Sequence, residues 1–279
     1  MFWMDQGQSR CVAGAPEIWE VLADHWTSVA TGMSRGMRVL DLGCGAGAVA
    51  RQMLAVRGDL QLTGIDYARI PLAIYPNFEL LSDTPMEALP FGAPCFGGVV
   101  SQFGFEYGDS KATVSELAQV LAPGARLSFL VHHAASSIVA ANRVRLAALS
   151  TFLGPGVRSA FCAGDGVLFH AHMLALRERH PHDALVAELA RSLPSRLGRM
   201  PRERAAIWNS IEDALAPELC LGASLDERCV APARLDEWLH PLRRLCELEP
   251  VGVLREPDGT PIAWRIEGVR AAQAPGAAS

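Results

Sequence analysis

The chain has 279 residues and a mass of 30.0 kDa, half of them hydrophobic and 20% charged, which supplies a buried core and excludes a disordered chain. Its net charge is −5, whereas nucleic-acid binders carry a basic excess that displaces counterions from phosphate, so no nucleic-acid partner is expected. No apolar run approaches the roughly 20 residues of a membrane-spanning helix, and Met1 to Asp5 lacks a signal-peptide pattern, so a cytoplasmic chain without membrane association is expected.

Residues 1–10 read as a loose arm. Pro16 opens a helix over 15–30 with Ile18, Trp19, Leu22 and Trp26 at helical spacing. From Met37 strands and helices alternate. Strands are expected at 38–42, 61–65, 78–81, 97–101 and 126–131, with helices at 48–56 and 110–121. That alternation indicates a parallel sheet with helices on both faces. After His133 strand signals vanish for about a hundred residues, and helices are expected at 136–152, 167–179, 182–192, 201–216 and 233–246. Strands return at 250–255 and 261–269 around Pro257-Asp258-Gly259, which suits a hairpin. The expected organisation is an N-terminal arm and helix (1–36), an α/β domain (37–135 and 247–270), a helical insertion (136–246) and a disordered tail (271–279). The seven cysteines are scattered and form no CxxC pair, so neither a metal site nor a disulfide framework is signalled.

The most informative segment is Val39-Leu-Asp-Leu-Gly-Cys-Gly-Ala-Gly47. Gly43, Gly45 and Gly47 allow a sharp strand-to-helix turn and close approach to a ligand. Read as Gly43-x-Gly45-x-x-Ala48, the turn also satisfies a loose dinucleotide pattern, which leaves a nicotinamide-dependent oxidoreductase open. Asp41 argues for a cationic ligand instead, because a carboxylate there repels a pyrophosphate.

Val39 to Gly47 resembles the first motif of the class I S-adenosylmethionine-dependent methyltransferases. Thr63-Gly-Ile-Asp66, Met86-Glu-Ala-Leu-Pro-Phe91, Gly98-Val-Val-Ser101 and Glu116 to Leu127 continue the resemblance in order, over roughly residues 37–133 and the last hairpin. It implies a Rossmann-like, mostly parallel seven-stranded sheet with a C-terminal antiparallel hairpin and an all-helical insertion after the fifth strand. It further implies S-adenosyl-L-methionine as cofactor and methyl transfer to the oxygen or nitrogen of a small molecule. The cofactor residues it implies are Asp41, Gly43, Cys44, Gly45, Asp66, Tyr67, Met86, Glu87, Ser101, Gln102 and Phe103. Asp66 would take the ribose hydroxyls, and Met86 and Glu87 would meet the adenine through their backbone. The chain departs from the family pattern at Pro85 and Met86, where an Asp-Ala pair is common, and in a short, proline-broken segment after Asp66. A non-catalytic cofactor-binding member stays open as well.

On the acceptor side, Phe103, Phe105 and Tyr107 could wall a site or be ordinary core, and Glu106 could accept a proton. His132 and His133 end the fifth strand, where open α/β sheets place ligands, and alternation lets at most one face a pocket. Each is a candidate base, as is His25, against a hydrogen-bonded structural role. The helical insertion reads as a lid or as a homodimer interface. Its aromatics Phe161, Phe169, Trp208 and Trp238 could line an acceptor cavity or form the block's own core.

Overall fold

The computed structural model describes residues 16–70, 76–181 and 183–271. The expected N-terminal arm, the proline-broken stretch at 71–75, the helix start at His182 and the tail beyond 271 lie outside the described residues. The chain divides into two compact units, residues 1–138 with 228–279, and residues 139–227.

In the first unit, α1 (Pro16–Thr31) precedes β1 (Arg38–Leu42), α2 (Ala48–Val56), β2 (Gln61–Ile65), β3 (Phe78–Leu81), β4 (Phe96–Gln102), α3 (Ser110–Val120) and β5 (Leu121–His132). β1 and β2 each begin with an exposed polar residue and bury the next four. This is the near-continuous burial of strands covered on both faces. After the helical unit come α9 (Leu235–Leu245), β6 (Cys246–Leu248), β7 (Gly252–Arg255) and β8 (Pro261–Arg270). The sheet order is β3-β2-β1-β4-β5-β8-β6, with β7 also paired to β8. β1 to β5 run parallel, whereas β8 pairs antiparallel with β5, β6 and β7. β6 takes Gly268–Arg270 and β7 takes Pro261–Arg265. The two short strands therefore fill one edge position, and the eight strands occupy the seven places expected.

The core between sheet and helices gathers Leu40, Leu42, Val99, Phe105, Leu117, Phe129 and Ile266. α9 packs into this same core through Leu239, Leu242 and Leu245. It thus lies with the α/β unit, although the sequence reading assigned it to the helical insertion. Leu121 was expected to end α3, but it starts β5. The Pro123-Gly124 turn is absorbed as an irregularity, because pairing with β4 jumps from Leu121 to Arg126 while Gly124 takes φ +76°.

The helical unit contains most of α4 (Ser137–Phe152), then α5 (Pro155–Ala163), α6 (Gly166–Arg179), α7 (Ala184–Ser192) and α8 (Pro201–Arg228). α5 escaped the sequence reading because Gly154-Pro155-Gly156 reads as a stop, yet Pro155 sits at the first helical turn, where its missing N–H costs nothing. α8 runs through Pro217, the residue before which the sequence reading ended it. The ring deletes one backbone donor without terminating the helix. Among the described residues, no single helix is long and apolar enough to cross a membrane.

Candidate functional site

The site forms where β1, β2 and β4 end. β1 delivers Asp41, then the chain turns through Gly43, Gly45 and Gly47 at φ +63°, +51° and +75° into α2. Gly43 has no room for a side chain, since a Cβ would stand 2.9 Å from the Cα of Gly104 at the tip of β4. Gly45 faces open space, with nothing within 4 Å of where its Cβ would be. The backbone N–H of Gly45 donates to Asp66 Oδ2 at 2.8 Å, and that of Ala68 donates to Oδ1 at 2.8 Å. Two of the roughly four lone pairs of that carboxylate remain for a ligand. Tyr67 follows and is 81% exposed.

Asp41 is fully buried, and neither carboxylate oxygen has a hydrogen-bond partner among the described residues. Burial, reinforced by the charge of Asp66, holds its carboxyl well above the usual carboxylate range. Cys44 is buried against Gly64. Its thiol is pushed up by burial and by the nearby carboxylates of Asp41 and Asp66, which leaves it a filler and not a nucleophile.

At the tip of β4, Ser101 Oγ donates to the carbonyl of Leu42 at 2.8 Å and accepts from the N–H of Phe105 at 3.0 Å. Its side chain thereby joins the ends of β1 and β4 and is committed to backbone. Gln102 turns towards α1, where its Oε1 accepts from Trp26 Nε1 at 2.6 Å. Phe103 holds φ +57°, a strained conformation for an aromatic residue, and its ring stacks on His132 at 4.1 Å between centroids. Beneath it, Glu106 Oε1 accepts from both the backbone N–H of His132 at 3.0 Å and its Nδ1 at 2.7 Å. The donated Nδ1 proton leaves the lone pair on Nε2, which has no partner among the described residues.

His133 points the other way. Its Nδ1 accepts from the N–H of Ala135 at 3.0 Å, its ring lies 4.4 Å from that of Trp264, and burial lowers its pKa. His25 bonds Ser128 Oγ at 3.2 Å, and burial lowers its pKa to about 4. Neither approaches the glycine turn by any of these contacts. Glu87 Oε1 accepts from the N–H of Asp109 at 2.7 Å, and Met86 and Glu87 both close on Gly108, so this loop is braced to the start of α3. Asp83 is engaged by Arg69 at 3.1 Å on the surface.

Of the four aromatics considered as cavity lining, Phe161, Phe169 and Trp208 are at most 1% exposed in the helical unit's own core. Trp238 belongs to the first unit and packs edge-on against Phe105 at 5.4 Å. The sequence reading missed Trp26 and Gln52 as neighbours of the site. Helical spacing singled out Trp26, but no local signal ties α1 to a strand end 76 positions away.

Residues 39–124 match a family described as a methyltransferase domain. The chain is 31% identical over 140 residues to a 2-phytyl-1,4-naphthoquinone methyltransferase of Synechocystis, which covers 46% of the chain and 57% of that relative. The chain thus spans little more than half the length of the curated relative it matches. Among solved structures, a SAM-dependent methyltransferase of Methanosarcina mazei is 15% identical with a TM-score of 0.43, covering 88% of this chain and 98% of that one. Within the α/β unit, residues 39–124 are similar to a methyltransferase domain, in a sheet of the strand order given above.

Proposed function

We propose that the chain transfers the methyl group of S-adenosyl-L-methionine to a small-molecule acceptor. The observation that carries the reading is Asp41, a buried carboxyl without a partner below a glycine turn whose central residue faces open space. A buried carboxylate of this kind is stable only opposite a cation. When bound, the cofactor supplies an electrophilic methyl on a sulfonium. Asp41 would hold its cationic methionyl end, the free lone pairs of Asp66 its ribose hydroxyls, and Gly43 to Gly45 its close approach. Tyr67, Met86 and Glu87 would flank the adenine, with Cys44, Ser101 and Phe103 shaping the cradle.

An oxygen or nitrogen acceptor has to lose a proton, and we assign the base to His132, oriented by Glu106, in preference to His133. Phe103 covers His132, so its ring has to swing aside for the acceptor. A pH–rate profile that loses its acidic limb in His132→Gln supports this assignment, because the base works only unprotonated, and an unchanged limb removes it. The relative's name makes its acceptor 2-phytyl-1,4-naphthoquinone, which supports an apolar acceptor here too. A homodimer through the helical unit belongs to the same proposal, supported by the exposed Val167, Leu168 and Leu174 on α6. Sedimentation at a monomer mass would dismiss it. The central experiment is calorimetric titration with S-adenosylhomocysteine. Wild type should bind it and Asp66→Ala should bind at least about tenfold more weakly. Failure of wild type to bind overturns the assignment.

A further inference from the structure

Where α1 lies on α2, Trp19, Leu22 and Trp26 face Arg51 and Gln52 across a groove of about 340 Å³ that ends at Gln102. Its size falls within the roughly 300–1,000 Å³ of pockets that hold small molecules. The walls are tied together, since Gln52 Nε2 donates to Thr27 Oγ1 at 3.2 Å and to the carbonyl of Ala23 at 3.5 Å. Ala48, the first residue of α2 after the glycine turn, lines the same groove, so it opens beside the cofactor cradle.

Gln102 carries the chemical information. The Trp26 indole nitrogen can donate but cannot accept. The 2.6 Å contact therefore locks the Gln102 carboxamide with its oxygen towards Trp26. The two N–H groups of the amide have no partner among the described residues. An aromatic, largely apolar groove thus ends in an oriented pair of hydrogen-bond donors at the tip of β4, one residue before Phe103.

We propose that this groove seats the methyl acceptor and that Gln102 selects a planar, apolar ring bearing a carbonyl or phenolate oxygen. The inference rests on the methyltransferase reading. Trp19 and Trp26 supply ring-sized apolar walls, and the Nε2 donors of Gln102 take the oxygen. An analogue without that oxygen leaves the donors unpaired in a part-buried site, which is how hydrogen-bonding pockets reject near-isosteres.

The test uses 1-tetralone and tetralin, two fused-ring probes that differ in one carbonyl oxygen, titrated calorimetrically into the full chain saturated with S-adenosylhomocysteine. Wild type should bind 1-tetralone about tenfold more tightly than tetralin, as one neutral hydrogen bond provides. Gln102→Glu keeps an oxygen for Trp26 and replaces the donors with an acceptor. It should lose that preference, its affinity for 1-tetralone falling to that for tetralin. Trp19→Ala should weaken both probes alike. Equal binding of the two probes by wild type, no binding of either, or a preference that survives in Gln102→Glu overturns the proposal. Loss of S-adenosylhomocysteine binding by wild type strikes instead at the methyltransferase reading beneath it.

Discussion

Gly43 and Gly45 share a left-handed backbone but differ in surroundings, and substitution should separate folding from binding. Gly43→Ala drives a methyl group into the backbone of Gly104 and adopts an unfavourable φ, so it should lose about 3 kcal/mol of stability in urea melts. Gly45→Ala meets no atom and should lose only about 1 kcal/mol. Its methyl group would stand in the space proposed for the cofactor, so calorimetry should show S-adenosylhomocysteine affinity abolished. Asp41 gives a prediction in pH. Its folded pKa is raised by burial and then by Asp66, so its contribution to stability is complete below the unfolded value near about 4 and is lost as pH rises through the folded value. Asp41→Asn cannot titrate. In thermal melts without cofactor its advantage over wild type should therefore grow from pH 4 to pH 8, and saturating S-adenosylhomocysteine should reverse the order at pH 8. The glycines, Asp41 and Asp66 were legible because they are neighbours in sequence or sit at strand ends in a known order. The Glu106–His132 bond joins two residues each singled out separately, yet their pairing depends on how β5 lies beside the turn after β4. The Trp26–Gln102 bond had no signal at all.

At the level of elements, the loop carrying Met86 and Glu87 is joined to α3 through one turn. Asp109 caps α3 by accepting from the N–H groups of Lys111 and Ala112, while its own N–H is held by Glu87. Asp109→Ala should cost about 1 kcal/mol in chemical denaturation. Glu87→Ala should shift the melting temperature in the same direction, because it frees the residue that positions the cap. Most of the sheet was legible, because β1, β2 and β4 are short apolar runs bounded by glycines or charged residues. What escaped depended on proline. Pro155 looked like a stop and begins a helix, and Pro217 looked like an end and is passed through. A proline's effect depends on whether the missing donor was needed, which tertiary packing decides.

For the whole molecule, the two units carry separate cores. Trp208 is fully buried in the helical unit, stacks on Phe152 at 5.1 Å and donates to Glu212 at 2.7 Å. Trp208→Ala should remove about 3–5 kcal/mol from that unit. Differential scanning calorimetry should then resolve an early transition, while titration shows S-adenosylhomocysteine affinity intact. A single transition shifted as a whole would mean that the units unfold together. The division into an α/β part and a helical part was visible in the disappearance of strand signals. Its far boundary was not, because α9 has the same periodicity as a bundle helix and only its partners place it on the sheet.

The helical unit leaves and rejoins the sheet at one spot. His133 bridges Val230, the N–H of Val230 bonds the carbonyl of His132 at 2.8 Å, and the N–H of Ala134 bonds the carbonyl of Val230 at 3.1 Å. This clasp governs the order of events during synthesis. β5 ends at residue 132 and its antiparallel partner β8 ends at residue 270, a delay of roughly 7 to 28 s at ribosomal speed, during which the β5 edge is unpaired. The contiguous helical segment is made first and can condense on local contacts, and Val230 then reaches the end of β5 well before β8 emerges. Once closed, the clasp converts a loop of more than a hundred residues into one of about thirty between Val230 and Pro261, which lowers the entropy cost of docking the last strand. The insertion thereby shortens the search for the strand that follows it.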